Sequence, residues 1–253
     1  MKASRIACSG LCLWLWGGTA AAAMLAPASI SGTVLFNLSP PPRIDFNNFG
    51  THALTGPGGL VQFHSAPAPF PALMAEAEVV TGYYARSSGM LSYQMEIVGP
   101  NGDVPVDALV SGYIAGSIGL GERAASLVLA SLWSLENLNT GIMLVKQEGV
   151  SVVATAGSRR ESFSSTRQFM LTAGHVYRIS LLADAGVAAG TGLAGGGTAV
   201  IYPIFRFAAG AGDGYRFAFS EGIGNGDAAT PEPSTMGLMA AGASLLSLLR
   251  RRR

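Results

Sequence analysis

Strict two-residue alternation runs through Met90-Leu91-Ser92-Tyr93-Gln94-Met95-Glu96-Ile97-Val98, with Leu91, Tyr93, Met95 and Ile97 on one side and Ser92, Gln94 and Glu96 on the other. A backbone that sends successive side chains to opposite faces is a strand, and one apolar face makes it half-buried. Gly99-Pro100-Asn101-Gly102-Asp103 then supplies a turn, and Val104, Val106, Ala108 and Val110 resume the alternation. Gly214-Tyr215-Arg216-Phe217-Ala218-Phe219-Ser220 repeats it with three aromatics on one face. Further strands are predicted over 31–38, 60–64, 75–84, 125–135, 142–155 and 198–208. The Ala, Ser and Leu content of 125–135 also suits a buried helix. Thr172-Ala173-Gly174-His175 separates Phe169-Met170-Leu171 from Val176–Leu181 and predicts a hairpin, with glycine supplying an unusual backbone angle.

Many short strands punctuated by Gly, Pro, Asn and Asp predict an all-β fold, an antiparallel β-sandwich or jelly roll. Leu91, Tyr93, Met95, Ile97, Ile179, Leu181, Phe217 and Phe219 are the expected core. Ser39-Pro40-Pro41-Pro42 and Pro67-Ala68-Pro69-Phe70-Pro71 read as stiff connectors, because proline cannot join a central ladder. The Ala/Gly-rich stretch 186–197 shows no pattern and reads as a mobile loop, and 222–230 as a tether.

The two ends of the chain have a different character. Lys2 and Arg5 precede an apolar run from Ile6 to Trp16, and small residues follow, with Ala21-Ala22-Ala23 and Ala26-Pro27-Ala28 both fitting a leader cleavage pattern. The run is too short for a comfortable membrane span, which needs ~20 residues. Residues 1–28 are therefore expected to be a signal peptide, 29–224 the sandwich body, 225–235 a linker, and 236–253 a membrane helix with a basic tail. Cys8 and Cys12 both fall in the leader, so the remaining chain has no cysteine. That excludes disulfides, cysteine zinc sites and a cysteine nucleophile there.

The chain holds 16 basic and 15 acidic residues. Setting aside Lys2, Arg5 and the four final arginines leaves 10 basic, and setting aside Glu232 leaves 14 acidic, a net charge of −4. A body without a basic excess is not built for nucleic acid.

Catalytic patterns are missing. His52, His64 and His175 do not form metal-ligand spacing, and Glu76 and Glu78 share one strand face, whereas glycoside hydrolysis needs carboxylates on opposite sides of a bond. Gly119-Leu120-Gly121-Glu122-Arg123-Ala124 lacks the strand and helix context of a dinucleotide loop, and Gly195-Gly196-Gly197 lacks the lysine of a phosphate loop. No G-x-S-x-G frames a serine. Arg159-Arg160-Glu161 reads as a solvated charged turn. Asp213 and Asp227 sit in Gly-rich loops without calcium-loop spacing. No cofactor and no metal is expected. Tyr83, Tyr84, Tyr93, Trp133 and Tyr215 either fill the core or present a ring platform for a sugar.

Thr230-Pro231-Glu232-Pro233-Ser234, the apolar run Met236–Leu249 and Arg250-Arg251-Arg252-Arg253 follow one another in that order. An apolar helix enters the membrane, and arginines that cannot cross stay on the cytoplasmic side. At ~1.5 Å per residue the run from 236 to 249 reaches roughly 21 Å, short of a ~30 Å hydrocarbon core. Ser234 and Thr235 can extend the helix, and Arg250 can reach the headgroups. These residues resemble the carboxy-terminal signal of the PEP-CTERM family of exported bacterial proteins. The spacing Phe-x-Leu-x-Ala-Gly-x-x-Tyr-x-Ile over Phe169–Ile179 is similar to the bodies of such proteins. The resemblance implies that Pro231, Glu232 and Pro233 are the sorting motif and that Arg250, Arg251, Arg252 and Arg253 are the cytoplasmic anchor. It also implies an exosortase-like membrane enzyme as partner, a Gram-negative producer with an exopolysaccharide system, and passage through the inner membrane to the surface or matrix. The expectation is an exported protein without enzymatic activity. The alternatives are a carbohydrate-binding sandwich module and a hydrolase with an unrecognised site.

Overall fold

A computed structural model of the chain describes residues 24–36, 42–56, 58–80, 82–119 and 125–225. The alternation seen in the sequence extends over thirteen strands. They are β1 (Ser29–Phe36), β2 (Arg43–Phe46), β3 (Gly50–Gly56), β4 (Gly59–Ala66), β5 (Ala72–Val80), β6 (Tyr84–Val98), β7 (Asp103–Ile118), β8 (Ser126–Asn137), β9 (Ile142–Ala154), β10 (Gly157–Thr172), β11 (Val176–Ala188), β12 (Ala194–Phe207) and β13 (Arg216–Phe219). All pairings are antiparallel.

The pairings have a simple generator. β8 pairs β9, β7 pairs β10, β6 pairs β11 and β5 pairs β12, which is one long hairpin with its tip between β8 and β9. At that tip the Asn137 side-chain oxygen accepts from the backbone N–H of Asn139 and Thr140, and Gly141 has a φ of 70°. A short acceptor side chain followed by glycine is the chemistry such a turn needs. Rolling the hairpin sends alternate segments to opposite layers. The front sheet has the order β2-β1-β6-β11-β8-β9, with β13 also on β6, and the back sheet β10-β7-β12-β5-β4-β3. This nested order is a jelly roll, with β1–β2 widening the front sheet and β3–β4 the back.

The core lies between the sheets. Leu91, Tyr93, Met95, Ile97, Ile179 and Leu181 are buried as expected. Phe217 and Phe219 are half-buried, because β13 is only 4 residues long; Phe217 stacks on Phe207 at 4.1 Å. The 125–135 segment is strand, with Leu127, Leu129, Trp133 and Leu135 all facing the core on the odd positions.

Three expectations are corrected. Residues 172–175 do not make a hairpin: β10 belongs to the back sheet and β11 to the front, so this turn crosses the sandwich. Gly174, with φ 79°, donates its N–H to Ile97 O in the front sheet. Most of the 186–197 stretch is strand, since 186–188 end β11 and 194–197 begin β12, and the connection between them is only 189–193. Its small residues allow close layers. A Cβ on Gly197 would come within 2.6 Å of Leu129 Cδ2, and one on Gly195 within 2.9 Å of Val187 Cγ1. Arg159, Arg160 and Glu161 lie in the exposed edge strand β10, not in a turn.

The open sides of the sandwich are closed differently. On one, Phe46 of β2 stacks on His52 of β3 at 4.2 Å and 3°, and tilts against Phe63 at 4.9 Å. On the other, Glu148 of β9 accepts from Ser165 Oγ of β10 at 2.9 Å. Arg167 Nε lies 3.2 Å from the second Glu148 oxygen, an ion pair off the line of a hydrogen bond.

Candidate functional site

The first and last strands of the body share a single edge of β6. Antiparallel pairing puts β13 opposite Met95–Val98 and β1 opposite Ala85–Ser92, so β13 stops where β1 starts. The seam falls at Gln94. Its backbone N–H donates to Ser220 Oγ at 2.8 Å, and its carbonyl accepts from Ser220 N–H at 2.9 Å. The Ser220 hydroxyl donates to Ala26 O at 2.7 Å, and Ala26 N–H donates to the Gln94 side-chain oxygen at 2.8 Å. Just beyond, Gly224 N–H donates to Pro67 O at 2.9 Å. The Asn225 side chain pairs with the backbone of Phe205, accepting at 2.9 Å and donating at 2.7 Å. The described part of the chain ends at Asn225. Pro231, Glu232, Pro233 and Arg250 to Arg253 lie outside the described residues, as do the predicted membrane helix, Asp227 and the leader up to Ala23.

The outer face of β1, β6 and β11 carries the second feature. Two shallow hollows of about 410 Å³ and 390 Å³ adjoin at Met90. Ser29, Ser92, Gln94, Arg178 and Ser180 line much of the first, while the second mixes Ser31, Thr33, Arg43, Arg86 and Ser88 with Leu35, Met90 and Leu182. Arg86 grips Asp184 with two bonds, Nε to Oδ1 at 3.0 Å and Nη2 to Oδ2 at 2.7 Å. The hydrogen bonds it donates to Asp184 push the Arg86 guanidinium pKa up, against the opposite pull of partial burial. Asp45, accepting from Thr33 and Arg43, is held below the usual carboxylate range.

The residues considered for chemistry are dispersed. His52 is in the stack on Phe46, His64 bonds Thr51 Oγ1 at 2.8 Å, and His175 Nδ1 meets the Asn137 amide at 3.1 Å. Glu76 and Glu78 do share the outer face of β5, and Glu76 accepts from Gln62. Asp213 is exposed. Among the described residues, no three His, Cys, Asp or Glu gather as a metal site. The ring-platform idea is corrected for its central members. Trp133 and Tyr93 are each 1% exposed, and Trp133 packs edge-on against Phe169. Tyr83, Tyr84 and Tyr215 are half-buried. The seam at Gln94 was not visible in the sequence, since no local signal ties residue 26 to residues 94 and 220.

No curated protein matches the chain. Among solved structures, the enzymatically active domain of bacteriophage CBA120 tailspike protein 4 is similar over 64% of this chain and 19% of its own, at 12% identity and a TM-score of 0.25. The chain thus spans about a fifth of that protein. TmCBM61, solved in complex with beta-1,4-galactotriose, is similar over 72% of this chain and 90% of its own, at 12% identity and a TM-score of 0.24. The structure of infectious bursal disease virus Gx strain is similar over 87% of this chain and 74% of its own, at 11% identity and a TM-score of 0.19. Residues 229–253 match the family model of the PEP-CTERM protein-sorting motif. The chain therefore carries a PEP-CTERM protein-sorting motif, the kind recognised by exosortases, at residues 229–253.

Proposed function

We propose that this is an exported, non-enzymatic surface or exopolysaccharide-matrix protein. Its jelly-roll body is carried out by the amino-terminal leader and then held in the inner membrane by the tail. An exosortase-like enzyme reads Pro231-Glu232-Pro233 on the outer side, where two prolines keep the chain extended. Arg250 to Arg253 stop the tail from slipping through. Gly237, Ala240, Ala241, Gly242, Ala243 and Ser244 let a second helix approach closely, as processing requires. The observation that carries this reading is the sorting-motif match at 229–253. Mass spectrometry of mature protein from a producer with an intact exosortase tests it. Loss of Arg253 is the expected result, and its retention would make the tail a permanent anchor. Altering Pro231-Glu232-Pro233 should leave full-length protein in the inner membrane.

A second reading is carbohydrate binding, favoured by the two hollows of mixed polar and apolar lining that meet at Met90 on the outer face of the front sheet. Pull-down on the producer's polysaccharide, with Arg178→Ala as the comparison, separates it from a purely structural role.

A further inference from the structure

We infer that the outer edge of β10 is a homodimer interface, where a second copy of this chain adds its own β10 antiparallel across a two-fold axis through Ser164. β10 is 16 residues long, ends the back sheet, and is hydrogen-bonded to a strand on one side only, β7. That pairing runs from Gly157 opposite Ile118 to Thr172 opposite Asp103 without a slip. One parity of residue therefore faces β7 along the whole strand, and the other faces away. Thr172 fixes which is which. Its N–H goes to Tyr177 Oη at 2.8 Å and its carbonyl accepts from His175 N–H at 3.2 Å, neither toward β7. At the other end, Ser158 O accepts from Arg159 Nη1 at 3.2 Å. Even-numbered residues thus turn their N–H and C=O outward. Every one of them from Ser158 to Met170 is exposed, and from Arg160 to Met170 these groups have no partner among the described residues. A long row of unpaired peptide groups is a template for another strand.

The side chains select the strand. Outward groups can bond only to outward groups, so in an antiparallel self-pairing even residues meet even ones and the axis passes through a residue. An axis at Ser164 sets Glu161 of each copy opposite Arg167 of the other, and symmetry makes that ion pair twice. Both fall at non-hydrogen-bonded positions, where facing side chains come closest. The same register overlaps the strands from Ser158 to Met170 and sets Arg160 opposite Gln168. An axis at Phe163 would instead set Arg159 against Arg167, and one at Ser165 would set Arg167 against Phe163 and Glu161 against Phe169. The charges that guard this edge against indiscriminate pairing therefore admit the register centred on Ser164. Arg167 already meets Glu148 through Nε at 3.2 Å, and its half-exposed side chain keeps its Nη donors for a second carboxylate. A two-fold pairing closes on itself, so assembly stops at the dimer.

The full chain, purified in mild detergent with Cys8→Ala and Cys12→Ala so that no native thiol remains, gives the test. Across the axis the two Ser164 Cα atoms would lie about 5.5 Å apart, within disulfide reach, whereas Ser158 would face Met170. Ser164→Cys should cross-link into a dimer under mild oxidation, and Ser158→Cys should not. Equal cross-linking of both, or none with either, overturns the inference. Ser164→Pro removes an outward N–H and leaves the ladder to β7 whole, so it should keep the strand signal in circular dichroism while abolishing dimers in sedimentation. Dimers that persist in this variant would place the association elsewhere, the apolar tail included, and refute the edge. Glu161→Arg should weaken association about tenfold, since two attractions become two repulsions. Mixing it with Arg167→Glu should restore the parental affinity, because each chain then supplies the charge the other lacks. Failure of the mixture to associate refutes the register.

Discussion

The two open sides of the sandwich solve one problem with different chemistry. At β2–β3 the gap between sheets is filled by Phe46, which lies between His52 and Phe63. At β9–β10 it is bridged by Glu148, reaching Ser165 and Arg167 over the edge-on contact of Trp133 with Phe169. A stacked ring excludes water and is stabilised in proportion to the area it covers. An ion pair whose arginine is half-exposed is screened and gains little. The aromatic side should therefore be the stability-determining closure, and the polar side a register device.

Phe46→Ala is the strongest challenge to this contrast. It should cost about 3 kcal/mol in urea unfolding, from lost transfer and the cavity left against Phe63. If it costs no more than an ion-pair deletion, the contrast fails. His52→Ala tests the stack alone and should cost about 0.5–1.5 kcal/mol, with the rest of Phe46's contribution intact. Arg167→Ala should cost about 0.2–1 kcal/mol, and that difference should vanish in 1 M salt, where the screening length is ~3 Å. A salt-independent loss would mean that Arg167 acts through packing of its stem.

Between the two sides, Tyr93 sharpens the point that buried polarity is not always stabilising. Burial pushes its phenol pKa well above the ordinary 10.0, and its hydroxyl has no hydrogen-bond partner among the described residues. The unfolded chain loses this proton near pH 10 while the folded chain keeps it. Stability is then fully present below that pH and falls as pH rises beyond it. Tyr93→Phe should change stability by less than ~0.5 kcal/mol at neutral pH, yet flatten the alkaline decline seen by circular dichroism. An unchanged alkaline slope would place the effect on Tyr113 or Tyr177, which burial also raises.

This contrast also explains what could be read from the chain. The central strands β6, β7 and β11 are each flanked on both sides and covered on one face, so period-two alternation is forced on them and visible. β2 and β3 were not anticipated. β2 is 4 residues long, and β3 opens on Gly50 and carries only Ala53 and Leu54 as aliphatics. β10 was read only at its carboxy end, because Arg159, Glu161 and Arg167 fall on the same side as Phe163, Phe169 and Leu171 and break up its apolar face. The crossing at residues 172–175 illustrates a further limit. Its glycine angle is the same whether the next strand turns back in one sheet or passes to the other, so only the facing layer decides. The sorting tail was legible for the opposite reason: its recognition lies in short linear chemistry that needs no tertiary partner. The clasp of Ala26, Gln94 and Ser220 is wholly tertiary, and no local pattern announces it.

The side-chain pairing of Asn225 with Phe205 has a mechanical consequence. The last strand of the body, β13, is held by the front sheet, but Asn225 and Gly224 are held by Phe205 of β12 and Pro67 beside β4, in the back layer. A pull arriving along the tail is thus taken up first by the far layer, much as a cable gland takes the tug off a soldered joint. β13 can peel from β6 only after those bonds have parted.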